Sequence, residues 1–189
     1  MSIKIYIDQG HNPSGFNTGA EGNGYFEQDI TYEIGTLLYD LLSEDGNFEA
    51  KLSRPRPTTI LGTNNSSSLT ARVRDANAWG ADVFISLHTN AAERESASGS
   101  EALIYSRESS VALGLAEDIL ESMTEATGLR NRGVIERPGL YVLRRTNMPA
   151  VLVEMGFITN PRDAELMVNS PGLFATGIYR GIRKYYGLG

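Results

Sequence analysis

Three short runs of β-branched and aromatic residues frame any fold open to this chain: Ile3-Lys-Ile-Tyr-Ile7, Val83-Phe-Ile-Ser-Leu87 and Val151-Leu-Val-Glu154. Each reads as a strand. Each also closes on a group that can do chemistry. The first reaches His11 through Asp8-Gln-Gly, the second is followed by His88, and the third ends on Glu154, after which Gly156 and Asn160-Pro161 turn the chain into a loop. His11 and His88 are the only two histidines. A carboxylate closing a buried run must be hydrogen-bonded, paired or near a metal, because burying an unpaired charge is costly.

Helical spacing fills the intervals. From Phe26 to Ser43, Ile30, Ile34, Leu37, Leu38, Leu41 and Leu42 predict an amphipathic helix with Glu27 in its first turn. Phe48, Ala50 and Leu52 alternate as a second strand. A helix bearing Leu69, Val73 and Ala76 on one face is expected to be capped by Ser68 and to end near Gly80. Glu101 to Ser106 reads as a strand. Ser109 is a cap for a helix carrying Ala112, Leu115, Ala116, Ile119, Leu120 and Met123, stopped by Gly128. Tyr141 to Arg144 reads as a strand, and Asn160-Pro161 and Ser170-Pro171 start the last two helices, the second reaching about Tyr186. The expectation is a single α/β domain over residues 1–189. It would hold a mostly parallel twisted sheet of about six strands with helices on both faces and right-handed crossovers. Ligands of such sheets bind beyond the carboxyl ends of the strands, where His11, His88 and Glu154 fall if their strands are parallel.

Composition removes several chemistries. With 189 residues and 41% hydrophobic content, one core can bury roughly 70% of the unfolded surface. The chain has no cysteine, so disulfides, thiolate zinc sites and cysteine nucleophiles are excluded, and any metal must take nitrogen and oxygen ligands. A net charge of −6 argues against a general nucleic-acid binder. No apolar run approaches the roughly 18 residues of a membrane span. Met-Ser-Ile-Lys enters the first strand without the pattern of a signal peptide, which leaves the route of export open. The glycines at Gly10 and from Gly19 to Gly24 match no phosphate-cradling pattern, and no G-x-S-x-G elbow is present. Arg144 and Arg145 are expected to face water. A single histidine after a strand is most simply a satisfied polar residue, and Glu27 alone is an ordinary first-turn acid favoured by the helix dipole. Their company changes the reading, and the residues by themselves reach metal-assisted hydrolysis of an amide or ester.

Longer blocks go further. Asp8-Gln-Gly-His11, Glu27, Arg72-x-x-x-Ala76-Asn77, Ala81 to Ala91 around His88, Gly99-Ser-Glu101 and Met148 to Asn160 together resemble the zinc-dependent N-acetylmuramoyl-L-alanine amidases. The resemblance runs in order over nearly the whole chain. It implies one zinc ion held by His11, Glu27 and His88, with Glu154 as the catalytic carboxylate. The substrate it implies is the peptidoglycan amide joining the lactyl group of N-acetylmuramic acid to L-alanine of the stem peptide. Gln9 departs from the family pattern, where proline or alanine is common, and is expected to change loop stiffness more than chemistry.

The resemblance places the activity at the cell wall outside the cytoplasmic membrane, as in autolysins and endolysins. Two other readings stay open: a zinc peptidase acting within the stem peptide, and a non-catalytic wall-binding module. Some division-associated relatives carry a long insertion after the second zinc histidine, whose helix covers the metal until a partner withdraws it. Here ten residues separate His88 from Gly99, too few for several turns of helix and two connections. No activator protein is therefore expected to be required. The Gly10 to Gly24 loop is the alternative lid, and it offers no obvious zinc ligand.

Overall fold

The computed structural model describes residues 2–188. In chain order the elements are β1 (Ile3–Gln9), a small hairpin of β2 (Glu21–Gly22) and β3 (Tyr25–Phe26), α1 (Glu27–Glu44), β4 (Phe48–Leu52), α2 (Asn65–Trp79), β5 (Val83–Asn90) and β6 (Ser100–Ile104). They continue with α3 (Ser110–Thr127), β7 (Asn131–Glu136), α4 (Tyr141–Arg145), β8 (Ala150–Phe157), α5 (Pro161–Asn169) and α6 (Pro171–Tyr185). The main sheet runs β4-β1-β5-β8-β6-β7. The first four of these strands are mutually parallel, β6 is antiparallel to β8, and β7 runs parallel to β6. This is the mostly parallel six-stranded α/β sheet expected from the sequence. Among the described residues, no helix is long and apolar enough to cross a membrane.

Strand alternation sorts the core into two layers. On one face Ile5, Ile7, Val83, Ile85, Leu87, Val151, Val153 and Met155 pack against α1, α3, α5 and α6. On the other, Tyr6, Phe84, Leu103 and Leu152 pack against Val73 and Ala76 of α2 and Val142 and Leu143 of α4. The same parity carries Asp8, Ser86, His88, Glu154 and Glu101 onto this second face, at its open end. A long apolar layer thus supports the sheet from one side. The thinner layer leaves the polar end of the other side accessible.

Several boundaries differ from the sequence reading. Tyr141–Arg145 is helix α4 rather than a strand, because a five-residue segment with only three apolar positions has no decisive period and Val142 and Leu143 gain burial against α2. The edge position it would have filled is taken by β7, whose Asn131-Arg-Gly133 start lacks strand propensity. Helix α2 begins a turn before Ser68: Asn64 caps it, accepting from the Ser67 amide while Ser67 caps in return. The strands β5 and β8 run on to Asn90 and Phe157, so His88 and Glu154 lie inside strands rather than beyond them. Gly80, Ser109, Gly128 and Asn160 act as the caps expected of them, and Pro161 and Pro171 open α5 and α6.

Candidate metal centre

The site is assembled where β1, β5 and β8 lie side by side. His88 and Glu154 are direct cross-strand partners in the β5–β8 register. His11 sits two residues past β1 with a positive φ of 69°, held there by its surroundings. Arg72 supplies much of that hold: fully buried on α2, it donates to Asp8 Oδ1 and to the carbonyls of Gln9 and His11, each at 2.6 Å. Ser86 donates to the other Asp8 oxygen at 2.8 Å. The Asp8–Arg72 pair, buried on both sides, fixes the backbone that presents His11. Gly10 lets this turn approach β5, since a Cβ there would lie 2.5 Å from the Leu87 carbonyl oxygen and 2.6 Å from the His88 ring.

Glu27 is the first residue of α1 and comes in from the opposite layer. Its Oε1 lies 3.2 Å from His11 Nε2 and 3.0 Å from His88 Nδ1, and accepts the Thr89 amide at 2.9 Å. Its Oε2 accepts the Ala20 amide at 2.8 Å. One ligand atom each from His11, Glu27 and His88 lies within 4.8 Å of the others, a group that could hold a metal ion. The His11 Nδ1 faces the Asn17 carbonyl at 3.2 Å, so with a metal bound Nδ1–H can donate there while Nε2, now turned to Glu27, ligates. The two histidine side chains are 19% and 20% exposed, so the group opens to solvent on one side.

The charges of the group are strongly interdependent. Burial raises the Glu27 pKa, yet hydrogen bonds from both histidines outweigh it and hold the carboxyl well below the usual range. Burial disfavours charge on His88, but Glu27, Glu154 and Asp8 overcome it and raise the imidazole above its ordinary value. Burial, opposed by His88 and aided by Glu27 and Glu101, pushes Glu154 up to about 7. Its Oε2 is buried without a hydrogen-bond partner among the described residues. An orphaned carboxylate oxygen beside two nitrogens and one oxygen fits a borderline divalent metal and its water.

All four residues singled out in the sequence are thus near one another, three as a converging group and Glu154 on the adjoining strand. Asp8, Arg72 and Glu101 belong to the same assembly and were quoted in the sequence only as parts of blocks. Their signal was parity: Asp8 is two residues beyond Tyr6, and Glu101 two before Leu103, on the face of His88 and Glu154. Gln9 points to the other layer, where it donates to the Tyr32 carbonyl and accepts the Arg54 amide, tying β1 to α1. Arg144 and Arg145 are exposed. A cavity of about 110 Å³ adjoins the two histidines, walled by Leu69, Leu140 and Tyr141. The wider groove of about 290 Å³ between α1 and α5 contains none of these groups.

Comparison with known proteins agrees with this arrangement. The family model described as N-acetylmuramoyl-L-alanine amidase matches residues 5–184. The amidase CwlM of Bacillus licheniformis is 37% identical over 180 residues, 95% of this chain, and the match spans 65% of CwlM's own length. The crystal structure of an N-acetylmuramoyl-L-alanine amidase from Clostridium difficile 630 superposes with a TM-score of 0.88 at 30% identity, covering 98% of this chain and 97% of that one. CwlD from Clostridioides difficile, solved in complex with the GerS lipoprotein, superposes at 0.89 with 26% identity and complete coverage of both chains. By a family match spanning nearly its whole length, on a fold whose sheet end gathers two histidines and two glutamates, the chain belongs to the N-acetylmuramoyl-L-alanine amidase family.

Proposed function

We propose that residues 1–189 form one catalytic domain that hydrolyses the amide between the lactyl group of N-acetylmuramic acid and L-alanine of the stem peptide. The observation that carries this reading is the cross-strand pairing of His88 with Glu154, which sets a carboxylate with an orphaned oxygen beside the His11–Glu27–His88 group. His11, Glu27 and His88 would hold one zinc ion, the metal suited to two imidazoles, one carboxylate and an open position. When bound, zinc supplies Lewis acidity, polarising the amide carbonyl and bringing the acidity of water toward neutrality.

The chain's own groups account for the rest. Glu154 accepts a proton from the attacking water as the water oxygen bonds to the lactyl carbonyl carbon. As the C–N bond breaks, Glu154 passes that proton to the departing nitrogen. The products are a lactyl carboxylate and an L-alanine amine. Arg72, through Asp8 and the His11 carbonyl, keeps the first histidine in place throughout.

Family membership supports peptidoglycan as the substrate, reached outside the cytoplasmic membrane. Residues 91–99 form a short loop without a helix. They are tied to the β8–α5 connection through Thr159 and Asn160, and no element folds back from them as a lid. We therefore propose activity without an activator, although CwlD is seen with GerS. The test is mass spectrometry of digested walls, with zinc analysis of the protein and of His88→Ala. A new lactyl carboxylate and L-alanine amine are expected from the purified chain alone, and loss of zinc and turnover from the variant. Cleavage inside the stem peptide would turn the reading to a peptidase. Inert zinc-loaded protein rescued by an added partner would defeat the activator-free reading.

A further inference from the structure

The polar row at the open end of the sheet continues past Glu154. Glu101 on β6 is its direct cross-strand partner, and Glu101 is shared between two donors: Asn90 Nδ2 at 2.9 Å and Arg132 Nε at 3.0 Å. Arg132 stands on the edge strand β7 with its side chain 34% exposed. Its guanidinium carbon lies 5.0 Å from the centre of the Phe157 ring, and its Nη1 donates weakly to the Ser98 carbonyl at 3.4 Å. Among the described residues, Nη2 makes no hydrogen bond. An arginine braced on one edge by a carboxylate and beneath by an aromatic ring is preorganised to receive a second carboxylate with its remaining donors.

We infer that Arg132 recognises a free carboxylate on the stem peptide, the α-carboxyl of the D-glutamate that follows L-alanine. This rests on the amidase reading, since only that places the scissile amide at Glu154. In the stem, D-glutamate is linked onward through its γ-carboxyl, so its α-carboxyl projects as a side group next to the cleaved bond. From the scissile nitrogen to that group is about two residues of extended chain, roughly 7 Å. Strands are spaced about 4.8 Å apart, so β7 lies about 10 Å from β8, and the Arg132 side chain reaches back over Glu101 on the strand between. The stem peptide therefore runs across the strands, over Glu101 toward β7. An α-carboxamide at the same position would present no charge to the guanidinium.

The experiment compares zinc-loaded enzyme on two disaccharide-tetrapeptide wall fragments that differ only in a free carboxyl or a carboxamide at that D-glutamate. The wild type is expected to favour the free acid by about tenfold or more in kcat/KM, the range of one charge-assisted hydrogen bond, with the difference mainly in KM. In Arg132→Met the preference should fall toward parity, and Arg132→Lys should recover part of it. A wild type indifferent to the two fragments overturns the inference while leaving the amidase reading intact. So does an Arg132→Met variant that loses both activities by the same factor with its preference kept, which would mark Arg132 as a brace for Glu101 only. Cleavage of neither fragment at the lactyl amide removes the amidase reading, and this inference with it.

Discussion

Glu154 combines two demands that oppose each other. In the proposed role of proton carrier it needs a pKa near neutrality, and the buried site pushes it up to about 7 in the metal-free fold. The same burial costs stability. The folded pKa lies above the unfolded value of 4.5, so the folded state binds more protons across that interval. Stability attributable to this group is therefore lost as pH rises from 4.5 through 7, and the penalty is complete above it. Glu154→Gln removes the ionisation while keeping the shape. In chelator, thermal unfolding should show the variant gaining on the wild type between about pH 4 and about pH 8. A constant difference across that range would mean that the carboxyl titrates normally. With zinc restored, the variant should keep its metal but lose turnover by about 10²- to 10⁴-fold. Arg72 makes the complementary point, because it touches no reacting group. Arg72→Met should leave Asp8 as an uncompensated buried charge and cost about 3–5 kcal/mol in chemical denaturation. A loss within about 0.5 kcal/mol would show that the buried pair is not the fastening inferred here.

Among the elements, α1 and α6 define how the thick layer is built. Glu27 opens α1, so the dipole of an 18-residue helix favours the charge that the site requires. The layer then closes by α6 lying against α3 at unusually short range. Cβ atoms at Gly177 and Gly181 would come within 2.5 Å of the Met123 Cα and 2.4 Å of the Ile119 Cα. Backbone cannot yield there as a side chain can. Gly181→Ala is thus expected to separate the helices and destabilise by about 1–3 kcal/mol, despite the gain in helix propensity. For a chain of this length the Tm should fall by roughly 2–4 °C per kcal/mol. An unchanged or higher Tm would mean that the helices can shift apart without loss.

At the scale of the whole molecule, the candidate metal group joins segments distant in sequence: the turn after β1, the start of α1 and the far half of β5. A ligand bound only by the folded state adds about 2.7 kcal/mol at a hundredfold excess over its Kd. Chelation should accordingly lower the Tm by several degrees, and zinc should restore it, in a calorimetric scan. Insensitivity to chelator would imply that the three ligands are held in place by Arg72, Thr89 and Ala20 without help from a cation.

Much of this molecule is legible in its sequence. Short β-branched and aromatic runs leading to His11, His88 and Glu154 dictated strands, helical spacing dictated α1, α2 and α3, and glycine, serine, asparagine and proline marked helix ends, among them the start of α6. Alternation along the strands places Asp8, His88, Glu154 and Glu101 on one face, because parity is a local property of a strand. What sequence could not supply was order across the sheet. That β1, β5 and β8 are neighbours, and that β6 reverses so that Glu101 opposes Glu154, depends on contacts between residues far apart in the chain. The identity of the last edge strand was decided in the same way: Tyr141–Arg145 and Asn131–Glu136 are both too short and too ambiguous in pattern to settle locally. Burial of Val142 and Leu143 against α2 made one of them a helix, and the free edge of β6 made the other a strand.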